Sequence, residues 1–154
     1  MREAIGGTWL FGIVIVFIVL FSSYLAISVN YSKAFKVKNS IVTMIEKYEG
    51  IDDEVATLIA NYNRSVGYGV ASNCRGRGQG FELVNTNALG QNHRYCVSCV
   101  NGESGSRLNQ AYYTVTVFFR LDLPIIGNIF VFPVSGETKP LYGTCPINLV
   151  MEEG

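Results

Sequence analysis

The chain has 154 residues, 12 basic and 12 acidic side chains and a formal net charge of zero. That length holds one domain, or one domain with an anchor, and the balanced charge excludes the basic footprint of a nucleic-acid-binding protein. Hydrophobic residues make up 49% of the chain but crowd into its first third; the remainder is rich in Gly, Asn, Tyr, Val and Thr, a composition of strands and turns.

From Ala4 to Ser32 there is no Asp, Glu, Lys or Arg, and the centre reads Trp9-Leu10-Phe11-Gly12-Ile13-Val14-Ile15-Val16-Phe17-Ile18-Val19-Leu20-Phe21. A hydrocarbon core of about 30 Å takes about 20 apolar residues as a helix, so Ile5 to Val29 suffices with room for tilt. Trp9 and Tyr24 stand near the ends, where amphipathic rings prefer the headgroup level. A cleaved signal peptide is the rival reading, but its apolar region is about 7–15 residues long and closes on a small-residue cleavage site. Here the apolar pattern continues past Ser22, Ser23 and Ala26. Residues 1–32 are therefore read as a retained transmembrane helix.

Residues 33–50 read as an amphipathic continuation of the same helix. Ala34, Val37, Ile41, Met44, Ile45 and Tyr48 follow helical spacing, with Lys33, Lys36, Lys38, Glu46 and Lys47 on other faces. Glu49-Gly50 offers an end, because glycine tolerates the left-handed conformation that follows a helix. A helix from about Glu3 to Glu49 would be roughly 70 Å long. Its upper half needs a packing partner.

Residues 51–154 supply one. Asp52 can cap a second helix, with acidic residues in its first turn and Ile51 as a staple. Val55, Leu58, Ile59 and Tyr62 give that helix an apolar face to about Asn63. Gly67, Gly69, Gly76, Gly78 and Gly80 mark a loop holding Arg75 and Arg77. Strand signals follow at Phe81–Val84, Arg94–Val100, Ala111–Leu123 and Ile129–Val134, with Gly136-Glu137 as a turn and Leu141-Tyr142 as a resumption. The fold class expected is α+β: a long helical stalk packed on a small antiparallel sheet, the stripe of Val37, Ile41 and Ile45 beneath one sheet face.

Cys74, Cys96, Cys99 and Cys145 all lie outside the apolar stretch, and two disulfides are their economical use in an oxidising compartment. Odd spacing in a strand points Cys96 and Cys99 to opposite faces, so each is expected to pair with Cys74 or Cys145, in either combination. A zinc half-site or a redox dithiol at Cys96-Val97-Ser98-Cys99 lacks a second half-site and a helix start. His93 reads as a surface polar residue. No hydrolase signature is visible, so no enzyme, metal or cofactor is expected. Lys33, Lys36 and Lys38 would hold the C-terminal side in the cytoplasm by the positive-inside count. The cysteines argue for the extracytoplasmic side, which is the side expected here.

The plan resembles pilin-like proteins, and among them the TadE-like pseudopilins of tight-adherence pilus systems. Arg2-Glu3-Ala4-Ile5 leading into Leu10–Val16 carries one part of the resemblance. Tyr112–Val117, Leu123-Pro124-Ile125-Ile126-Gly127 and Val134–Thr138 carry the other. The resemblance implies a bacterial-type, non-enzymatic subunit for pilus or secretion assembly or adhesion, whose partners are membrane lipid and other subunits reached through the N-terminal helix. It also implies an assembly role for Glu3, whose carboxylate at the edge of the hydrocarbon is costly unless a partner neutralises it. Gly6, Gly7 and Gly12 would let a neighbouring helix approach closely. Pilins are cut after a leader ending in glycine; a cut after Gly7 would discard Glu3, so an accessory or minor subunit is expected. The other reading is a membrane-tethered binding module that contacts a ligand or partner through Arg75 and Arg77.

Overall fold

A computed structural model describes residues 2–84, 92–102, 110–123 and 127–146. Helix α1 runs without interruption over Arg2–Lys47, 46 residues, so the expected span and its continuation are one rod of about 70 Å. No described side chain before Ala34 is buried. From there Ala34, Val37, Ile41 and Ile45 are buried, Met44 is half-buried and Tyr48 is exposed. Glu49 and not Gly50 takes the left-handed position (φ 57°), and the Gly50 N–H closes the end by donating to Ile45 O at 3.1 Å. Gly50 follows at φ 157°, where a Cβ would stand 3.4 Å from the Tyr113 hydroxyl.

Helix α2 spans Asp53–Val66. Asp52 caps it as expected, its carboxylate accepting from Val55 N at 2.8 Å, but it extends one turn past Asn63 to a left-handed Gly67. Val55, Ile59 and Asn63 are its buried residues; Leu58, expected on the apolar face, is exposed. The Tyr62 hydroxyl ties α2 to α1 by donating to Ser40 Oγ at 2.9 Å.

Strands β1 (Gln79–Val84), β2 (Asn92–Asn101), β3 (Gln110–Leu123) and β4 (Gly127–Glu137) form an antiparallel sheet in the order β1-β2-β3-β4, and β5 (Leu141–Tyr142) pairs with β3 beside the end of β4. The alternation in β3 is realised on both faces. Tyr113, Val115 and Val117 join Tyr95, Val97 and Cys99 against α1, whereas Phe118 is buried with Cys74 and Cys96 on the outer face. Gly136-Glu137 is not a turn. Gly136 pairs with Val115 and Glu137 with Thr114 inside β4. The glycine serves packing instead: a Cβ on it would lie 2.8 Å from the Lys38 Nζ, because the Lys38 stem crosses there. Lys38, assigned from sequence to a polar face, is thus largely buried, its ammonium 4.3 Å from the Phe35 ring centre.

Polar contacts tie the segment after β4 to α1 and to β3. Glu46 Oε1 accepts from Lys139 N at 2.8 Å, and Tyr113 N–H donates to Thr138 Oγ1 at 3.1 Å while its carbonyl accepts from Thr138 N. Tyr68, just past α2, donates to the Phe118 carbonyl at 2.5 Å. Burial pushes its pKa from the ordinary 10.0 up to about 12. Burial also raises Tyr113, and a hydrogen bond with the Ile51 backbone works the other way. A phenol whose folded pKa is raised stabilises fully below its unfolded pKa and loses that contribution as pH climbs through the folded value. Stability should therefore fall between pH 10 and about 12. Tyr68→Phe should make that alkaline decline shallower, as read by urea midpoints at stepped pH.

Candidate functional site

Three surfaces hold the residues singled out by sequence. The first is the apolar half of α1. Trp9, Leu10, Phe11, Phe17, Leu20 and Phe21 are all exposed, and a Cβ on Gly6, Gly7 or Gly12 would meet nothing within 4 Å. The helix is long and apolar enough to cross a membrane. Two of its hydroxyls are satisfied within the helix: Ser22 and Ser23 donate to the Ile18 and Val19 carbonyls, each at 2.8 Å. The Glu3 side chain lies outside the described residues. Helical spacing sets positions 3, 6 and 7 on one face as an i, i+3, i+4 group. Position 12 is nine residues from Glu3, on the opposite side at about 100° per residue. Gly12 therefore stands apart from the other three around the helix.

The second feature is the disulfide pair. Cys74 bonds Cys96 and Cys99 bonds Cys145, each with Cα atoms 5.6 Å apart. The two bridges lie on opposite sheet faces, as the odd spacing in β2 required: Cys99 and Cys145 sit in the main core beneath α1, Cys74 and Cys96 on the outer face with Phe118. All four cysteines are bonded, which leaves no thiolate for a zinc half-site or a dithiol at 96–99. Among the described residues no group of three His, Cys, Asp or Glu could hold a metal ion. Sequence could narrow the pairing but not choose it, because the choice depends on which segment each sheet face receives.

The third surface is an open cleft of about 690 Å³ in the glycine-rich loop, lined by Asn73, Cys74, Arg75, Gly76, Gly78, Gln79, Gly80 and His93. The loop is held tightly: Arg77 N donates to Cys74 O at 2.8 Å and Arg75 N to Asn73 Oδ1 at 2.9 Å. The two arginines do different things. Arg75 is exposed, whereas Arg77 is half-buried, its guanidinium 3.4 Å from Asn73 O and 5.9 Å from the Phe118 ring centre. His93 is not a surface residue as expected: it is 8% exposed, its ring packs where a Gly80 Cβ would stand, and its Nδ1 has no hydrogen-bond partner among the described residues. Sequence missed it because a lone polar residue at a strand start reads as solvated. Gly80 was the available signal, since a glycine inside a strand often marks a close approach.

Gly78 is the most constrained position here. Its φ is +85°, and a Cβ would fall 2.2 Å from the Val97 carbonyl oxygen. Gly78→Ala combines a left-handed penalty with a backbone clash, and should lower stability by about 2–4 kcal/mol. Gly69→Ala, with open space around it, should stay within about 0.5 kcal/mol. Thermal melts of the two variants in detergent check the contrast.

Compared with protein-family models, curated proteins and solved structures, the chain finds no match.

Proposed function

We propose that the protein is a non-enzymatic, membrane-tethered subunit of pilin-like plan. Residues 1–32 lodge in a bacterial-type cell membrane and residues 51–154 stand outside the cytoplasm, working in pilus or secretion assembly or in adhesion. One observation carries the reading: a single unbroken helix is bare and apolar in its first half and is the spine of a sheet in its second. A bare apolar surface of that size calls for lipid or a partner. Two disulfides support an oxidising, extracytoplasmic side. The face holding positions 3, 6 and 7 offers a carboxylate and two small residues to a neighbouring helix, the pairing that would turn an anchor into an assembly element.

The test uses the full chain in native membranes. Protease added to intact cells should remove residues 51–154, and denatured, unreduced protein should show no free thiol. Energy transfer between labelled copies should drop with Glu3→Gln and Gly7→Leu but persist with Gly12→Leu. A protected domain or four free thiols would overturn the topology, and energy transfer indifferent to all three substitutions would overturn the assembly role.

The second reading, a tethered binding module, is favoured by the cleft around Gly78 and by the His93 Nδ1, which has no partner among the described residues. Monodisperse protein that binds a soluble ligand and loses it on Arg75→Ala would select this reading over the first.

A further inference from the structure

We propose that the β3–β4 hairpin is a second membrane-contacting element, seated in the headgroup–acyl boundary of the bilayer beside α1. The inference rests on the reading that α1 crosses a membrane.

The direction of β3 carries it. Tyr113 lies at the top of the stalk against Gly50, Gly136 of β4 lies against Lys38, and Phe119 meets Tyr31 with ring centres 5.6 Å apart. The hairpin thus descends along α1 toward the helix N-terminus. It does not stop at Tyr31: β3 continues to Leu123 and β4 begins at Gly127. Four further residues at about 3.3 Å each add up to about 13 Å, the length of about nine helical residues. The described end of the hairpin therefore comes down to about the level of Ser22, within the charge-free stretch from Ala4 to Ser32. With Val29 at the top of the span, the described strand ends reach about 10 Å below it, which is the depth of the headgroup–acyl boundary.

The surface there suits a bilayer. Phe130 is 56% exposed and Val131 and Phe132 are each 41% exposed, on a strand at the sheet edge. A long apolar edge strand in water is an aggregation hazard unless something covers it. Ring contacts join α1 to that edge: Tyr31 to Phe119, Phe119 to Phe132 at 5.4 Å, and Phe132 to Phe130 at 6.0 Å. A row of rings at the height where the apolar helix gives way to lysines is what an aromatic belt requires. From Leu121 to Gly136 the sequence holds one charge, Asp122. On the other flank of α1, exposed Lys33 and Lys36 line a cavity of about 350 Å³ with Arg120, and cations at this level favour anionic headgroups. The edge strand shares its height with a lipid-facing helix, so lipid and not a second copy of the chain is the occupant.

The chain's one tryptophan, Trp9, makes the test separable. The full-length protein is reconstituted in phosphatidylcholine vesicles brominated on the acyl chain near the headgroup. Trp9 in the unmodified chain reports the span. Phe130→Trp in a Trp9→Phe background reports the hairpin, and Tyr142→Trp in the same background reports the far end of the sheet. We expect quenching of the first two to a comparable degree, with a blue-shifted emission for Phe130→Trp, and none for Tyr142→Trp. Quenched Trp9 with unquenched, red-shifted Phe130→Trp overturns this proposal and leaves the span standing. Blue-shifted but unquenched Phe130→Trp means that protein covers the edge, and equal quenching of Tyr142→Trp means that the whole sheet lies on the membrane; either overturns it. Unquenched Trp9 removes the span itself. Exposure at Phe130 makes the substitution tolerable for folding, and unchanged circular dichroism checks it.

Discussion

Replacing Cys99 and Cys145 together by alanine is expected to lower the stability of the domain by about 4 kcal/mol. The bridge closes a loop of 46 residues, and the conformational freedom it removes from the unfolded chain grows with the logarithm of that length. It also anchors the last described segment: Cys145 lies just past β5, and besides the bridge its N–H donates to Asn101 Oδ1 at 2.8 Å. The Cys74–Cys96 bridge closes only 22 residues, so its double alanine variant should lose about 3 kcal/mol. Urea titrations of the full chain in mild detergent, followed by circular dichroism, give both numbers. A smaller loss for the 99–145 pair than for the 74–96 pair would contradict the loop-length account. Adding reductant to the unmodified chain should move the midpoint in the same direction as either variant.

Ile41→Ala is expected to be comparably severe, a loss of about 2–5 kcal/mol. Ile41 is fully buried in the middle of the stalk stripe, between Val37 and Ile45, in the core cluster that also holds Val115 and Val117 of β3. Truncation leaves a cavity in the seam between helix and sheet that neither can readily close. Asn39, two residues away and exposed, is the comparison: Asn39→Ala should stay within about 0.5 kcal/mol. Equal effects at the two positions would mean that the stalk does not carry the domain. Because the stripe and not the apolar half makes these contacts, Ile41→Ala should leave membrane retention unchanged while exposing the domain to protease.

The stalk and its stripe were legible because period is a strong signal over eighteen residues. Ala34, Val37, Ile41 and Ile45 repeat at helical spacing, and no glycine or proline interrupts them. The Asp52 cap and the long β3 were legible for the same kind of reason, since each is a local rule obeyed locally. Where glycine was read as local punctuation the sequence misled. Gly136 is glycine because Lys38 crosses it, and Gly80 because His93 packs on it; both contacts join residues distant or on separate strands. Gly50 does not fill the left-handed position, because Glu49 takes it one residue earlier. The cleft around His93 was illegible as a unit, for it assembles from a loop and a strand start that only the β1–β2 register brings together.

Helix α1 contains no glycine between Gly12 and Gly50 and no proline at all, and this continuity has a mechanical meaning. The rod has no hinge between its bare apolar half and its buried stripe. With the span seated in a bilayer, any tilt it adopts becomes the tilt of the sheet. Transmembrane helices lean by about 20° on average, and more where the bilayer is thinner than the apolar stretch. Over the roughly 30 Å from Tyr31 to Gly50, such a lean carries the top of the domain sideways by about 10 Å. The thickness of the host membrane would then set the angle at which the outer domain is presented, so that lipid composition alone could steer which of its faces a neighbour meets.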